Sequence, residues 1–178
     1  MYVFLLLPPQ VQDCGLTDNV IELLVDKVQQ LTEETQQAFQ LAACIGNRFE
    51  ISALAGVTGQ TPHRIVLTLH AAVVDGLLLP MGQHYPQVHP ADTVADDGVN
   101  VEYRFAPDRI RQAAYSLIPE EQRGARHLQV GRQLLHSAGR RREEMIFTIV
   151  NQLNQGKKLI CDETELLELA QLNLLAGK

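Results

Sequence analysis

The sequence contains no tryptophan, and other aromatic residues are scarce. Aromatic residues make up 5% of the 178 residues, whereas apolar residues as a whole make up 46%. Leucine, valine, isoleucine and alanine must therefore fill the interior, and that balance favours helices. The length allows one sizeable core, or two small subdomains that share one. Charged residues amount to 20%, which is typical of a folded chain and not of a disordered one.

Cysteine is also scarce. The three cysteines, Cys14, Cys44 and Cys161, are odd in number and widely spaced, so they match neither a disulfide framework nor a zinc pattern. The six histidines do not change this conclusion, because no cysteine or carboxylate lies at ligand spacing to complete a tetrahedral set. We expect reduced thiols, no bound metal and no cofactor.

Positive charge is in short supply, since the formal net charge is −6. Nucleic acids and anionic membranes both select for clustered lysine and arginine, so neither is an expected partner. The apolar run MYVFLLL ends at Pro8 and Pro9. It is far shorter than the ~20 residues of a bilayer span, and it lacks the features of a signal peptide. We expect a cytoplasmic protein whose residues 1–16 form an N-terminal tail.

No catalytic pattern is visible in the sequence. The phosphate loop Gly-x-x-x-x-Gly-Lys-Ser/Thr does not occur. Ser52, Ser116 and Ser137 lack the strained Gly-x-Ser-x-Gly turn of an activated nucleophile. We therefore expect no catalytic residues and no enzyme activity.

Capping residues and apolar periodicity predict two helices near the N-terminus. Asn19 and Glu22 lie at capping-box spacing before an apolar stripe, which predicts a helix over 18–30. Thr32 caps a second helix, which Gly46, followed by an asparagine, ends with a left-handed stop.

The next segment has the order of a helix-turn-helix with a wing. A short helix begins near Ser52, and a helix over 61–75 follows it. The strand-like segments LLLP at 77–80 and VEYRF at 101–105 then form a small β-hairpin. The residues between the two strands, 81–100, are rich in proline, glycine and aspartate, which predicts a mobile loop.

The remainder of the chain is predicted to be helical. Pro107 and Pro119 each begin a helix, and two more helices follow them. The inward faces that we predict for the last three helices are Ala125, Leu128, Leu134 and Leu135; Ile146, Ile149, Val150 and Leu153; and Leu166, Leu169, Ala170 and Leu174. The last helix has no closing polar face, which suggests the onset of a helical repeat array.

The predicted fold class is therefore mainly α. It comprises a winged-helix-like subdomain over 17–106, with the mobile loop 81–100, and an α-helical, repeat-like bundle over 107–178.

Several blocks of sequence, from about Gly15 to Gly177, carry a resemblance to a known family. They are DNVIELLVDKVQQLTEETQQ, LAACIGNRF, DGLLLP, RFAPDRIRQAAYSLIPEEQ, HLQVGRQLL, IFTIVNQLN and LAQLNLLAGK. In order and spacing these blocks resemble the region that follows the ATPase module in large bacterial signalling proteins. Such proteins join a serine/threonine kinase domain, a STAND-like predicted ATPase, GAF domains and a histidine kinase or cyclase.

The resemblance implies a winged-helix subdomain followed by the onset of a tetratricopeptide-like scaffold. It also implies protein partners, with an ATPase or kinase module as the expected one. The family usually has Phe-x-His-Asp-Arg where this chain has Phe105-Ala106-Pro107-Asp108-Arg109. Since proline replaces the histidine of a phosphate-sensing position, direct nucleotide sensing is not expected. Asp108 and Arg109 are the predicted contact with a neighbouring module, or otherwise a salt-bridged helix start.

Two alternatives remain open at this point. A winged helix could bind DNA, with His63, Arg64 and His70 as weak contacts, although base readout favours more arginine, lysine, asparagine and glutamine. The chain could also be a truncated remnant without an independent function. The one basic cluster, around Arg140-Arg141-Arg142, is read as a solvated helix junction because Glu143 and Glu144 follow it. We favour a non-catalytic regulatory and interaction module of a bacterial signal-transduction ATPase-kinase.

Overall fold

The computed structural model describes residues 14–81 and 101–177. Within these ranges the chain forms eight α-helices and three strands. They are α1 (Cys14–Gln29), α2 (Glu33–Ile45), β1 (Arg48–Glu50), α3 (Ile51–Thr58), α4 (Pro62–Val74), β2 (Leu78–Met81), β3 (Glu102–Phe105), α5 (Asp108–Ser116), α6 (Glu120–Ser137), α7 (Ile146–Gly156) and α8 (Glu163–Ala176). The predicted fold class, mainly α with a small β-hairpin, is confirmed. Most of the predicted tail and loop lies outside the described residues.

The three strands form one antiparallel sheet in the order β1-β3-β2. Strands β2 and β3 are the predicted hairpin, whereas β1 was not predicted. Three residues between a helix stop and the next helix are too few to show an alternating pattern. The sheet and helices α2, α3 and α4 together form an arrangement that is consistent with a winged helix, and we call them the winged-helix part. Helices α5 to α8 form a helical bundle after it, which we call the bundle.

Side-chain caps begin three of the helices. The Oγ1 atoms of Thr32 and Thr61 each accept a hydrogen bond from a backbone N–H three residues on, at 3.3 Å. Asp162 accepts one from the backbone N–H of Thr164 at 2.9 Å. Gly46 does end α2, but with φ 157° and ψ −171° and not in the predicted left-handed conformation. The predicted helix-starting prolines, Pro107 and Pro119, occupy the cap positions just before α5 and α6.

One hydrophobic core connects the winged-helix part to the bundle. Phe105 of β3 makes an edge contact with Phe39 of α2, with ring centroids 5.4 Å apart, and a tilted contact with Phe49 of β1 at 5.7 Å. Buried aliphatic residues continue from there through α5, α6 and α7 to Leu169 and Leu172 of α8. The two parts therefore share one interior, as the length of the chain allowed.

Glycines allow α6 and α7 to approach each other closely. A Cβ atom added at Gly131 would lie 2.8 Å from the side chain of Leu153. A Cβ atom at Gly156 would lie 2.7 Å from the carbonyl oxygen of Gly124. Because a methyl group has no room at either position, these glycines set the spacing of the two helices.

The apolar residues predicted for two helices coincide only in part with the buried faces. On α8 the buried residues are Leu169 and Leu172, whereas Ala170 is exposed and Leu174 is 70% exposed. On α6 Ala125 is exposed, and His127, Leu128, Val130 and Leu134 are among the residues that are buried. Leucine is so frequent on both sides of α8 that periodicity alone cannot select the buried side. None of the helices in the described part of the chain is long and apolar enough to cross a bilayer.

Candidate coupling site

The C-terminal end of α2 meets the bundle at a group of polar residues that the core surrounds. We call this group the junction, and it comprises Cys44 of α2, Tyr115 of α5, His127 of α6 and Gln152 of α7. Cys44, His127 and Gln152 are 4%, 4% and 3% exposed. Each helix brings one member because each has an inward face at this point, and Tyr115 is the half-buried member at the edge of the site.

A continuous series of hydrogen bonds connects the junction. Nδ1 of His127 lies 2.6 Å from Oε1 of Gln152, and Nε2 of His127 lies 2.9 Å from the hydroxyl of Tyr115. The amide Nε2 of Gln152 donates to the backbone carbonyl of Cys44 at 2.6 Å. Both side-chain groups of the glutamine and both ring nitrogens of the histidine therefore have partners.

This series fixes the direction of each proton. Since the Gln152 amide nitrogen donates to a carbonyl, the other atom of that amide is the oxygen, which can only accept. Nδ1 of His127 must then carry a proton. In the neutral ring Nε2 is the acceptor, and the Tyr115 hydroxyl donates to it. The junction thus holds the Nδ1-protonated form of the imidazole.

Arginines surround the same end of α2. Nη1 of Arg111 lies 3.4 Å from the carbonyl oxygen of Ala43. The guanidinium of Arg123 lies 5.1 Å from the centre of the Tyr115 ring, and its Nε donates to the carbonyl of Ile118 at 3.1 Å. Positive charge at a helix C-terminus is favourable, because the free carbonyls there carry partial negative charge.

Burial sets the chemistry of the Cys44 thiol. It raises the pKa of the thiol to about 11, although Arg126, Arg111 and Arg123 oppose the rise. The thiol is therefore protonated at neutral pH, which makes it a poor nucleophile. Its place in the site is structural, through the backbone carbonyl that Gln152 contacts.

Two further contacts join the winged-helix part to the bundle outside the junction. Gln129 of α6 donates through Nε2 to the carbonyl of Val57 of α3 at 2.8 Å. Arg141 contacts Glu50 at the end of β1 at 3.2 Å. In the same cluster Arg142 pairs with Glu168 at 2.9 Å, and nearby Arg132 pairs with Glu165 at 2.7 Å. These arginines therefore make surface ion pairs between separate parts of the fold.

The predicted contact residues lie at the edge of the junction. Asp108 is exposed in the first turn of α5, where a carboxylate is favourable, and it pairs with Arg111 at 3.3 Å. Arg111 connects it to the carbonyl of Ala43. Arg109 is half-buried on the same helix. Their contact with a neighbouring module stays a prediction.

The residues of the DNA-binding alternative lie on α4. His63, Arg64 and His70 are all exposed there. The guanidinium of Arg64 is held by Glu34 of α2, with Nε 3.1 Å from Oε1 and Nη2 2.9 Å from Oε2. A bidentate ion pair occupies the donors that a phosphate or a guanine would need. The geometry disfavours nucleic acid as a ligand of this helix.

The described residues include no group of three or more histidine, cysteine, aspartate or glutamate side chains placed to hold a metal ion. The junction itself contains one imidazole and one protonated thiol, with no carboxylate among its four members. Its hydrogen bonds connect helices α2, α5, α6 and α7.

The prediction from sequence missed His127 and Gln152. Helical spacing could have found both of them. His127 lies three residues before Val130 and seven before Leu134, on the buried face of α6. Gln152 lies three residues after Ile149, beside Leu153. A polar residue at an inward position of an apolar helix needs a partner, and two such residues on neighbouring helices are candidates for each other.

Comparison with known proteins places the chain among signalling-related sequences. It is similar to a region of a protein named Hybrid signal transduction histidine kinase G, from Dictyostelium discoideum, with 28% identity over 210 residues. The match covers 94% of this chain and 6% of that protein. The chain thus spans a small part of the relative's length. No family model matches it, and no solved structure matches it.

Proposed function

We propose that this chain is a non-catalytic regulatory module of a signal-transduction protein, in which it couples a nucleotide-binding module to a helical scaffold. The similarity to a region of a signalling histidine kinase supports the signalling context. The observation that carries the coupling role is the buried series of hydrogen bonds from Cys44 through Gln152 and His127 to Tyr115.

The mechanism follows from the cost of breaking this series. If α2 moved relative to α7, the amide of Gln152 and the carbonyl of Cys44 would be left buried without partners. A buried polar group without a partner costs about 1–3 kcal/mol. The winged-helix part and the bundle therefore either move together or change between two discrete packings. A shift imposed on one part is transmitted to the other.

We propose the start of α5 as the place where a neighbouring ATPase or kinase module makes contact. Asp108 and Arg109 are the residues concerned. The ion pair of Asp108 with Arg111, and the bond of Arg111 to the carbonyl of Ala43, connect this surface to the junction. A partner that attracted the carboxylate would release Arg111, and so would alter the charge at the end of α2.

The proposed coupling can be tested by native-state hydrogen exchange. In the wild-type chain the amides of α2 and those of α7 should lose protection with the same free energy, because the two parts open together. Gln152→Leu should separate them into two steps. Gln155→Leu is the matched control, since Gln155 is exposed on the same helix. Two separate steps in the wild-type chain would contradict the proposal.

The non-catalytic part of the proposal has its own test. The purified chain should hydrolyse ATP no faster than buffer does, because the sequence has no phosphate loop. A turnover at an enzyme-like rate that persists through further purification would show that the proposal is wrong.

A further inference from the structure

The outer face of the sheet carries two arginines side by side. Strand alternation turns Phe49, Leu78, Tyr103 and Phe105 toward the core, where all four are buried. The opposite face therefore carries Arg48, Arg104 and Leu79, which the register places in one row across the three strands. Glu50, Glu102 and Met81 form the next row. We call the first of these the arginine row.

The arginine row lacks a counter-charge among the described residues. Arg48 is the direct partner of Arg104 across β1 and β3, and like charges in opposite positions destabilise a sheet. Neither arginine forms an ion pair with a described carboxylate. Glu50, in the neighbouring row, is held by Arg141 at 3.2 Å.

Arg104 also has an unsatisfied donor. Its Nε atom is buried and has no hydrogen-bond partner. A buried donor without an acceptor costs free energy, and most such donors in folded proteins have a partner. Beside it, Leu79 is 39% exposed. The row therefore combines two positive charges, one unpaired donor and an apolar side chain.

We propose that the arginine row is a docking surface for an acidic segment of a protein partner. One carboxylate of the partner accepts hydrogen bonds from Arg48 and Arg104, and an adjacent apolar side chain of the partner covers Leu79. The proposal rests on the proposed function, which it deepens by naming the chemistry of one partner. It does not depend on the junction.

The second row decides against a phosphate polymer as the occupant. The backbone of a nucleic acid would bring a run of negative charges over Glu50 and Glu102 as well as over the arginines. An isolated carboxylate next to an apolar side chain fits this face better, because the carboxylate can lie over the two arginines while the apolar side chain covers Leu79.

The probe for a direct test is the tetrapeptide acetyl-Gly-Glu-Leu-Gly-amide, which carries one carboxylate next to one apolar side chain. Titration followed by nuclear magnetic resonance should shift the backbone amides at positions 48, 79 and 104, with a dissociation constant on the order of 1 mM or below. Arg104→Gln should weaken binding about tenfold, because it removes a charge-assisted hydrogen bond, and Arg48→Gln about threefold. The same peptide with glutamine in place of glutamate should not bind.

Arg64→Gln is the matched control. It changes the net charge by the same amount at an arginine that Glu34 already holds, so it should leave the affinity unchanged. Equal weakening by Arg64→Gln, or no weakening by Arg104→Gln, would overturn the proposal. Arg104→Met, which removes the unsatisfied donor, should remain folded but should not bind the peptide.

Two further results would also overturn it. Tighter binding of inorganic pyrophosphate at the same residues would assign the row to a phosphate ligand. A large gain in peptide affinity on replacing Asp92, Asp96 and Asp97 with asparagine would assign it to the chain's own segment. Neither outcome involves the exchange behaviour of α2 and α7, so this proposal and the coupling proposal can fail separately.

Discussion

The junction and the arginine row are two polar sites in one fold, and they differ in how completely their hydrogen bonds are satisfied. At the junction His127 and Gln152 are almost fully buried, and both have partners for both of their polar side-chain atoms. On the arginine row Arg104 has a buried Nε without an acceptor, next to a second arginine. Buried polar groups that have partners hold the helices in one packing. A polar group without a partner, in contrast, indicates an interface.

The difference has an energetic meaning. A buried network in which every hydrogen bond is made contributes little net stability. Removal of one member, however, leaves its partners buried without a hydrogen bond, and each such group costs its full desolvation free energy. The like-charge pair of Arg48 and Arg104 carries a cost in the free chain, and a partner's carboxylate would offset that repulsion on binding. Mutation should therefore destabilise the chain at the junction and stabilise it at the arginine row.

The largest effect is expected at His127. His127→Ala removes the partner of both Tyr115 and Gln152 and leaves a cavity, so the free energy of unfolding should fall by about 3 kcal/mol. Urea denaturation followed by circular dichroism measures it. His136→Ala, at an exposed position of the same helix, should change it by less than about 0.5 kcal/mol. If His127→Ala lowered the free energy of unfolding no more than His136→Ala does, the hydrogen bonds of the junction would not contribute to stability as proposed.

The spacing of α6 and α7 should matter almost as much. Gly156→Ala places a methyl group against the backbone carbonyl of Gly124, which cannot move without displacing α6, so we expect a loss of about 2–3 kcal/mol. Gly124→Ala is the matched control, because a Cβ there meets its nearest neighbour at 3.5 Å. It should be neutral or should stabilise the helix by up to about 1 kcal/mol. Thermal melting of both variants decides the matter.

The stability of the chain should also fall in alkali. The pKa of the Cys44 thiol rises from 9.0 to about 11 on folding, so between these values the folded chain binds more protons than the unfolded chain. The contribution is fully present below pH 9.0 and is lost as the pH rises to about 11. The total is about 2 kcal/mol. Urea titrations at several pH values, with Cys44→Ala as the control, should show this slope in the wild-type chain only.

The smallest effect, and the one with the opposite sign, is expected on the sheet. Arg104→Met removes an unsatisfied donor and a like-charge pair while it keeps the apolar stem, so it should raise the free energy of unfolding by about 1 kcal/mol. Arg64→Met breaks the pair with Glu34 and should lower it by up to about 1 kcal/mol. If both variants are destabilised, the contrast between the two sites disappears.

Local signals in the sequence predicted most of the secondary structure. Thr32 caps α2 as predicted, and Thr61 and Asp162 cap α4 and α8 in the same way. The two strands of the hairpin were found because β-branched, aromatic and leucine residues occur between turn residues. Strand β1 was missed because its three residues pair with β3, which lies more than fifty positions away. No pattern in the neighbouring sequence indicates that pairing.

The faces of the helices were harder to predict where apolar residues are abundant. On α7 the predicted inward residues Ile146, Ile149, Val150 and Leu153 are buried. On α8, by contrast, leucine occurs on both sides of the helix, and the choice of Leu172 over Leu174 depends on where the neighbouring helices lie. Periodicity is informative only when polar residues mark the other side.

The sequence alone determined the helices and the hairpin strands of this protein, because caps, turn residues and apolar spacing act within a few residues of one another. It also determined the class of fold, through the order of helices and strands. Only the tertiary structure decided which polar groups meet. His127 and Gln152 are 25 residues apart, and Gln152 and Cys44 are 108 apart, so their pairing exists only once the helices pack. The neighbouring positions of Arg48 and Arg104 likewise follow from strand register, which a sequence of three or four residues does not encode.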